Sequence, residues 1–109
     1  MMTQTEFGNI LAESGMPVTY LAFPAESCPE MPFVTFQETG SNNVGADGKV
    51  WKRVSVYQVD LFTAGKDPAA EAALESALDN NDLFWQKYQS LEESEACQRY
   101  TYTLEVLGG

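Results

Sequence analysis

Residues 49–81, KVWKRVSVYQVDLFTAGKDPAAEAALESALDNN, contain the change of periodicity that decides the fold. From Lys49 to Ala64 the run is rich in Val, Tyr, Trp and Phe, which suit a pleated, packed surface, and it reads as one long strand. Trp51, Tyr57, Val59 and Leu61 share one parity, while Val50, Val54, Val56 and Phe62 share the other, so both faces carry apolar side chains. Two arrangements satisfy this: a bulge near Val56 and Tyr57 that returns them all to one core, or a strand covered on both sides. From Asp67 the spacing turns helical. Asp67 suits an N-cap, Pro68 the first helical position, and Glu71 the positive end of the helix dipole. Ala70, Leu74, Ala77 and Leu78 then form a buried stripe, and Asn80 and Asn81 end the helix.

On the N-terminal side, TQTEFGNILAESG (residues 3–15) places Phe7, Ile10 and Leu11 at helical spacing, with Thr3 or Thr5 as N-cap and Gly15 as stop. PVTYLAF (17–23) reads as a strand, PAESCPEMP (24–32) as a proline-bound loop, and FVTFQE (33–38) as a second strand. GSNNVGADGK (40–49) is a loop far longer than a reversal needs, since Asp47-Gly48 alone supplies a tight hairpin turn. Beyond the second helix, LFWQKYQS (83–90) reads as a strand and LEESEA (91–96) as an acidic turn. The last strand, CQRYTYTLEVL (97–107), turns Tyr100, Tyr102, Leu104 and Val106 one way and Arg99, Thr101, Thr103 and Glu105 the other.

The expected order is therefore αβββαββ, an α+β fold in a single domain spanning residues 1–109. Its sheet is mainly antiparallel or mixed, with about five strands, and both helices lie on one face. Helices about 10 Å across cannot cover both faces of strands about 4.8 Å apart. One face stays open. It exposes Val54, Val56 and Phe62, or their neighbours of opposite parity, and such a patch invites another subunit.

Composition narrows the function. The net charge of −10, from 16 acidic and 6 basic side chains, opposes the counterion release on which phosphate-backbone binding depends. No apolar run approaches the roughly 20 residues of a membrane span, and the start MMTQTEFGNI lacks the basic-then-apolar pattern of a signal peptide. Cys28 and Cys97 are accordingly expected to be reduced packing residues. Histidine is absent, which removes the commonest general base and the commonest metal ligand.

Short motifs add no chemistry. GADGK lacks the lysine-serine/threonine element of a phosphate loop, and NNVGADG offers one carboxylate, Asp47, where a calcium loop needs several. Glu92, Glu93 and Glu95 form a solvated acidic turn with nothing basic beside them. The terminal VLGG resembles a ubiquitin-like tail, but only Gly108 and Gly109 follow the last strand. The aromatic residues, Trp51 and Tyr57 among them, lack the basic groove of a single-strand binder. The expectation is a protein without enzymatic activity, cofactor or metal.

The chain resembles the small tail-completion proteins (tail terminators, or head-tail joining proteins) of long-tailed bacteriophages and prophages. The likeness rests on PFVTF, the Asn/Gly/Asp loop, YQVDLFTAGKDP running into a helix, LFWQKYQS after NN, and the closing SEACQRYTYTLEV. It implies subunits that close into a ring, commonly a hexamer, which stops tail-tube growth and meets the neck. The implied partners are copies of the chain itself, a tail-tube protein and a neck or connector protein, with DNA passing through unbound. The implied location is the virion tail and neck, and the host cytoplasm during assembly. Under this reading Asn42, Asn43, Val44, Asp47 and Lys49 contact a partner through the loop, and Val54, Val56 and Phe62 pack subunits. The alternative is a cytoplasmic protein-binding or regulatory module without enzymatic activity.

Overall fold

The computed structural model describes residues 3–21, 30–46, 48–64, 66–89 and 98–107. The proline-bound loop up to residue 29, the acidic turn, Cys28, Cys97, Asp47 and the terminal glycines lie outside the described residues.

Helix α1 (Gln4–Ala12) starts where Thr3 Oγ1 accepts a hydrogen bond from the Glu6 amide at 3.1 Å. It turns out through Gly15, whose φ of +83° is one that a residue without a Cβ adopts freely. Helix α2 (Pro68–Asn80) starts on Asp67, whose carboxylate accepts from the Ala70 amide at 3.1 Å. Both N-caps agree with the sequence expectation, and so does the buried stripe Ala70, Leu74, Ala77 and Leu78.

Strands β1 (Val18–Tyr20), β2 (Phe33–Ser41), β5 (Val54–Thr63), β6 (Trp85–Gln89) and β7 (Gln98–Leu107) form one mixed sheet in the order β1-β2-β5-β7-β6. β1 runs parallel to β2, and every other neighbouring pair is antiparallel. Two further strands, β3 (Val44–Ala46) and β4 (Lys49–Lys52), pair only with each other among the described residues. The αβββαββ framework thus stands, with a small hairpin arm inserted between β2 and β5.

The long strand expected from Lys49 to Ala64 is interrupted at Arg53, so its first part belongs to the arm and its second to the sheet. No bulge lies in β5, whose pairing with β7 is unbroken from Val54↔Leu107 to Thr63↔Gln98. The irregularity falls in β2, where the register shifts between Glu38 and Gly40. β5 therefore keeps strict alternation. Tyr57, Val59 and Leu61 enter the core, and Val54, Val56 and Phe62 emerge, half-buried, on the opposite face.

The core lies between the sheet and the two helices. Phe7 of α1 stacks on Tyr57, with ring centroids 4.5 Å apart, and meets Phe36 edge-on at 5.6 Å. Gly8 lets α1 approach this closely, because a Cβ there would stand 3.2 Å from the Phe36 ring. Leu74 and Leu78 of α2 are fully buried in the same layer as Tyr102 and Leu104. Each such leucine contributes about 1.5–3 kcal/mol through burial.

Candidate assembly surfaces

Three features stand out from this scaffold: the arm, the sheet face that no helix covers among the described residues, and the outer strand β6. The arm is held at its base by asparagines. The Asn42 amide donates to the Val54 carbonyl at 2.9 Å, and the Val54 amide donates to Asn43 Oδ1 at 3.0 Å. Asn42 Nδ2 also donates to Glu105 Oε1 at 2.6 Å. Short polar side chains are suited to this local pairing with nearby backbone. Two residues assigned to partner contact by sequence thus bind the chain's own body, whereas Lys49 stands exposed in β4 and Val44 occupies β3. Val50 of the arm is exposed, and Lys49, Lys52 and Arg53 make the arm and its junction basic in an otherwise acidic chain.

The helix-free face is built in rows that cross the sheet. At one end Phe33 stacks on Phe62, centroids 5.0 Å apart and planes at 24°, with Arg99 next across the ladder. The next row holds Thr19, Thr35, Asp60, Thr101 and Tyr88. Asp60 is buried there and satisfied: it accepts from Thr101 Oγ1 at 2.8 Å and from Gln58 Nε2 at 3.1 Å. The row beyond holds Gln37, Gln58, Thr103 and Gln86. At the far end a shallow recess of about 320 Å³ is lined by Val56, Phe84, Gln86, Thr103, Leu104 and Glu105. Of the residues assigned by sequence to subunit packing, Val56 lines this recess and Phe62 belongs to the aromatic pair. Val54 and Val56 are neighbours on this face, but Gln58 and Asp60 separate them from Phe62, so the three do not form one apolar patch.

Strand β6 is tied to α2 by charge. Lys87 Nζ lies 2.8 Å from Glu71 Oε1 and 2.6 Å from Glu75 Oε2, and Tyr102 donates to Glu75 Oε2 at 2.8 Å. Partial burial pulls the Lys87 ammonium toward the neutral form, but the hydrogen bonds and charges of Glu71 and Glu75 outweigh it and raise its pKa. Burial first, and then the bond to Glu75, push the Tyr102 phenol well above its ordinary range. Trp85 Nε1 donates to Asp79 at 2.9 Å, a second tether between the strand and the helix. Sequence reasoning placed Lys87 in a strand and Glu71 and Glu75 off the buried stripe of α2; only the sheet order brings them together.

Among the described residues no group of three or more His, Cys, Asp or Glu side chains is placed to hold a metal, and no helix is long and apolar enough to cross a membrane.

The fold defines a class: an α+β domain with a five-stranded mixed sheet, two helices on one face and a hairpin arm. The same fold occurs in a chain of the solved virion of a native gene transfer agent (GTA) particle, with a TM-score of 0.62. The match covers 91% of this chain and 84% of that one, at 15% sequence identity. No protein-family model matches the chain, and no curated protein matches it significantly in sequence.

Proposed function

We propose that this chain is a structural protein of a phage-like virion, a subunit that assembles as a ring where the tail meets the neck. There it terminates the tail tube and joins the tail to the head. The observation that carries this reading is the likeness of fold, over 91% of the chain, to a chain of the gene transfer agent virion. Three physical features support it. Among the described residues no helix covers the second face of the sheet, which supports a further contact surface beyond the core. The arm is a two-stranded hairpin, marginal by itself, that gains order when a partner covers it. The charge of −10 discourages phosphate contact and suits a passage that DNA crosses without sticking.

In this role Val50 and Lys49 of the arm reach the tail-tube or connector protein, and Val54, Val56 and Phe62 meet a neighbouring subunit. The mechanism is geometric capping. The test is to mix the purified chain with a polymerising tail-tube protein of the same phage-like particle and to measure tube lengths by negative-stain electron microscopy. Tubes of limited length with a ring at one end are expected. Tubes that grow as long with the chain as without it, and bare at both ends, would refute the reading.

A further inference from the structure

The arm carries a charge opposite to that of the body. Lys49, Lys52 and Arg53 are half of the six basic residues and fall within five positions, whereas Asp47 is the one acid from Asn42 to Arg53. Three cations against one carboxylate leave that segment at +2 on a chain of net charge −10.

These cations are not consumed within the chain. Among the described residues Lys49 and Arg53 are exposed and have no ion-pair partner, in contrast to Lys87, which two carboxylates hold. Opposite charges across a ladder would stabilise a hairpin. The arm does not use them: Lys49 is opposite Ala46, and Lys52 is opposite Val44. Val50 adds an apolar side chain to the same strand. It is 52% exposed and stands opposite Gly45, which has no side chain to cover it.

The arm also holds its charge clear of the body. Its base is fixed by Asn42 and Asn43, and β3 and β4 then run for three and four residues outside the main sheet, about 10 Å at roughly 3.4 Å per residue. That span equals the Debye length of about 10 Å at 0.1 M salt. Solvent ions therefore screen the tip from the carboxylates of its own body, while a surface that touches the arm meets the cations directly.

The chemistry selects an acidic protein over nucleic acid. Three cations release about three counterions from a phosphate backbone, too few to hold a duplex beside so acidic a body, and that backbone offers no seat for Val50. Successive residues of β4 alternate, so Lys49 and Val50 look to opposite faces of the hairpin. This suits insertion between an acidic wall and an apolar one rather than contact with a flat surface. In the ring reading copies meet through Val54, Val56 and Phe62, and the projecting element is left for the tube, whose end a terminator must cover.

We infer that the β3–β4 arm is a basic plug for the tail-tube protein, with Lys49 and Arg53 paired to carboxylates at the tube's end and Val50 in an apolar seat. The inference rests on the ring reading above and names the chemistry of the surface that the arm meets.

The test uses the full chain and a tail-tube protein of the same phage-like particle, with affinity read by biolayer interferometry from about 0.05 to about 0.5 M salt. Wild-type binding is expected to weaken as salt rises. Lys49→Glu with Arg53→Glu is expected to lower the affinity at least about tenfold and to flatten that salt dependence, with the urea midpoint unchanged. Lys49→Glu alone is expected to lose several-fold more than Lys66→Glu, which makes the same change in net charge at an exposed cation outside the arm.

Equal losses in the two single variants would overturn the arm as the site, because net charge would then explain both. Binding that survives the double reversal would also overturn it, and capped tubes in that variant would leave the ring reading standing. Arm-dependent binding to a second copy, to a connector protein or to duplex DNA in place of the tube protein would overturn the occupant. A wild-type chain that binds no tube protein would remove both readings. Arm-dependent binding to tubes that stay uncapped would uphold the plug and remove the terminator reading.

Discussion

Lys87 Nζ sits 2.6 Å from Glu75 Oε2, bridging the outermost strand of the sheet to the helix that covers it. The same ammonium holds Glu71 at 2.8 Å and lies 5.8 Å from the centre of the Tyr102 ring. Its side chain is 32% exposed, so solvent screens much of the attraction. Replacing Lys87 with Met is expected to destabilise the fold by about 1 kcal/mol, measured by urea unfolding at neutral pH. An unchanged midpoint would show that the bridge is only a surface contact.

Stability is expected to fall steeply at high pH. The Tyr102 phenol is raised from 10.0 and the Lys87 ammonium from 10.5, so in both cases the folded state keeps its proton to higher pH than the unfolded chain does. Their contributions are whole below those unfolded values and are lost as pH rises through the folded ones. Thermal midpoints should hold steady to about pH 10 and then drop, and Tyr102→Phe should flatten that drop. A parallel decline in both proteins would remove Tyr102 as a cause.

Helix α2 depends on its first residue. Asp67 accepts from the Ala70 amide at 3.1 Å, and Asp67→Ala is expected to cost about 1 kcal/mol. Asp67→Asn should recover most of it, because the amide oxygen still accepts. Loss of equal size in both variants would mean that the charge matters more than the cap.

The arm should loosen without unfolding the body. Asn43→Ala removes the acceptor of the Val54 amide, and Asn43 is itself exposed, outside the buried core. Limited proteolysis is expected to cut at residues 44–53 several times faster in the variant, with the unfolding midpoint shifted by less than about 1 kcal/mol. Equal cutting rates would show that Asn42 alone holds the base.

Self-association should strengthen with salt. Like-charged copies repel less once the Debye length drops from about 10 Å at 0.1 M to about 3 Å at 1 M. Sedimentation velocity across that range should show a larger assembled fraction at high salt. The reverse trend would mean that ion pairs between copies, with the basic arm as first suspect, hold the assembly.

Much of the fold was legible because it is local. The N-caps Thr3 and Asp67 and the stripe from Ala70 to Leu78 follow from chemistry within a few residues, and so does the alternation of Tyr100, Tyr102, Leu104 and Val106. The arm was less so. Lys49 to Lys52 has the same strand-like composition as β5, and nothing in that composition tells which partner each piece takes. The exposure of Leu21, Phe84 and Tyr88 was equally hidden, since an apolar residue in a strand reads alike at the edge and the centre of a sheet.

The sequence by itself therefore determined the kinds of element, most of their limits, the inward face of α2 and β7, and the net charge of −10. Only the tertiary structure decided that β1 and β6 end the sheet, that Arg53 divides arm from body, and that Lys87 meets Glu71 and Glu75. The reason is one of range. Capping and periodicity act over three or four residues along the chain, whereas strand order and edge exposure depend on pairings between segments tens of residues apart, which compete through packing of the whole core.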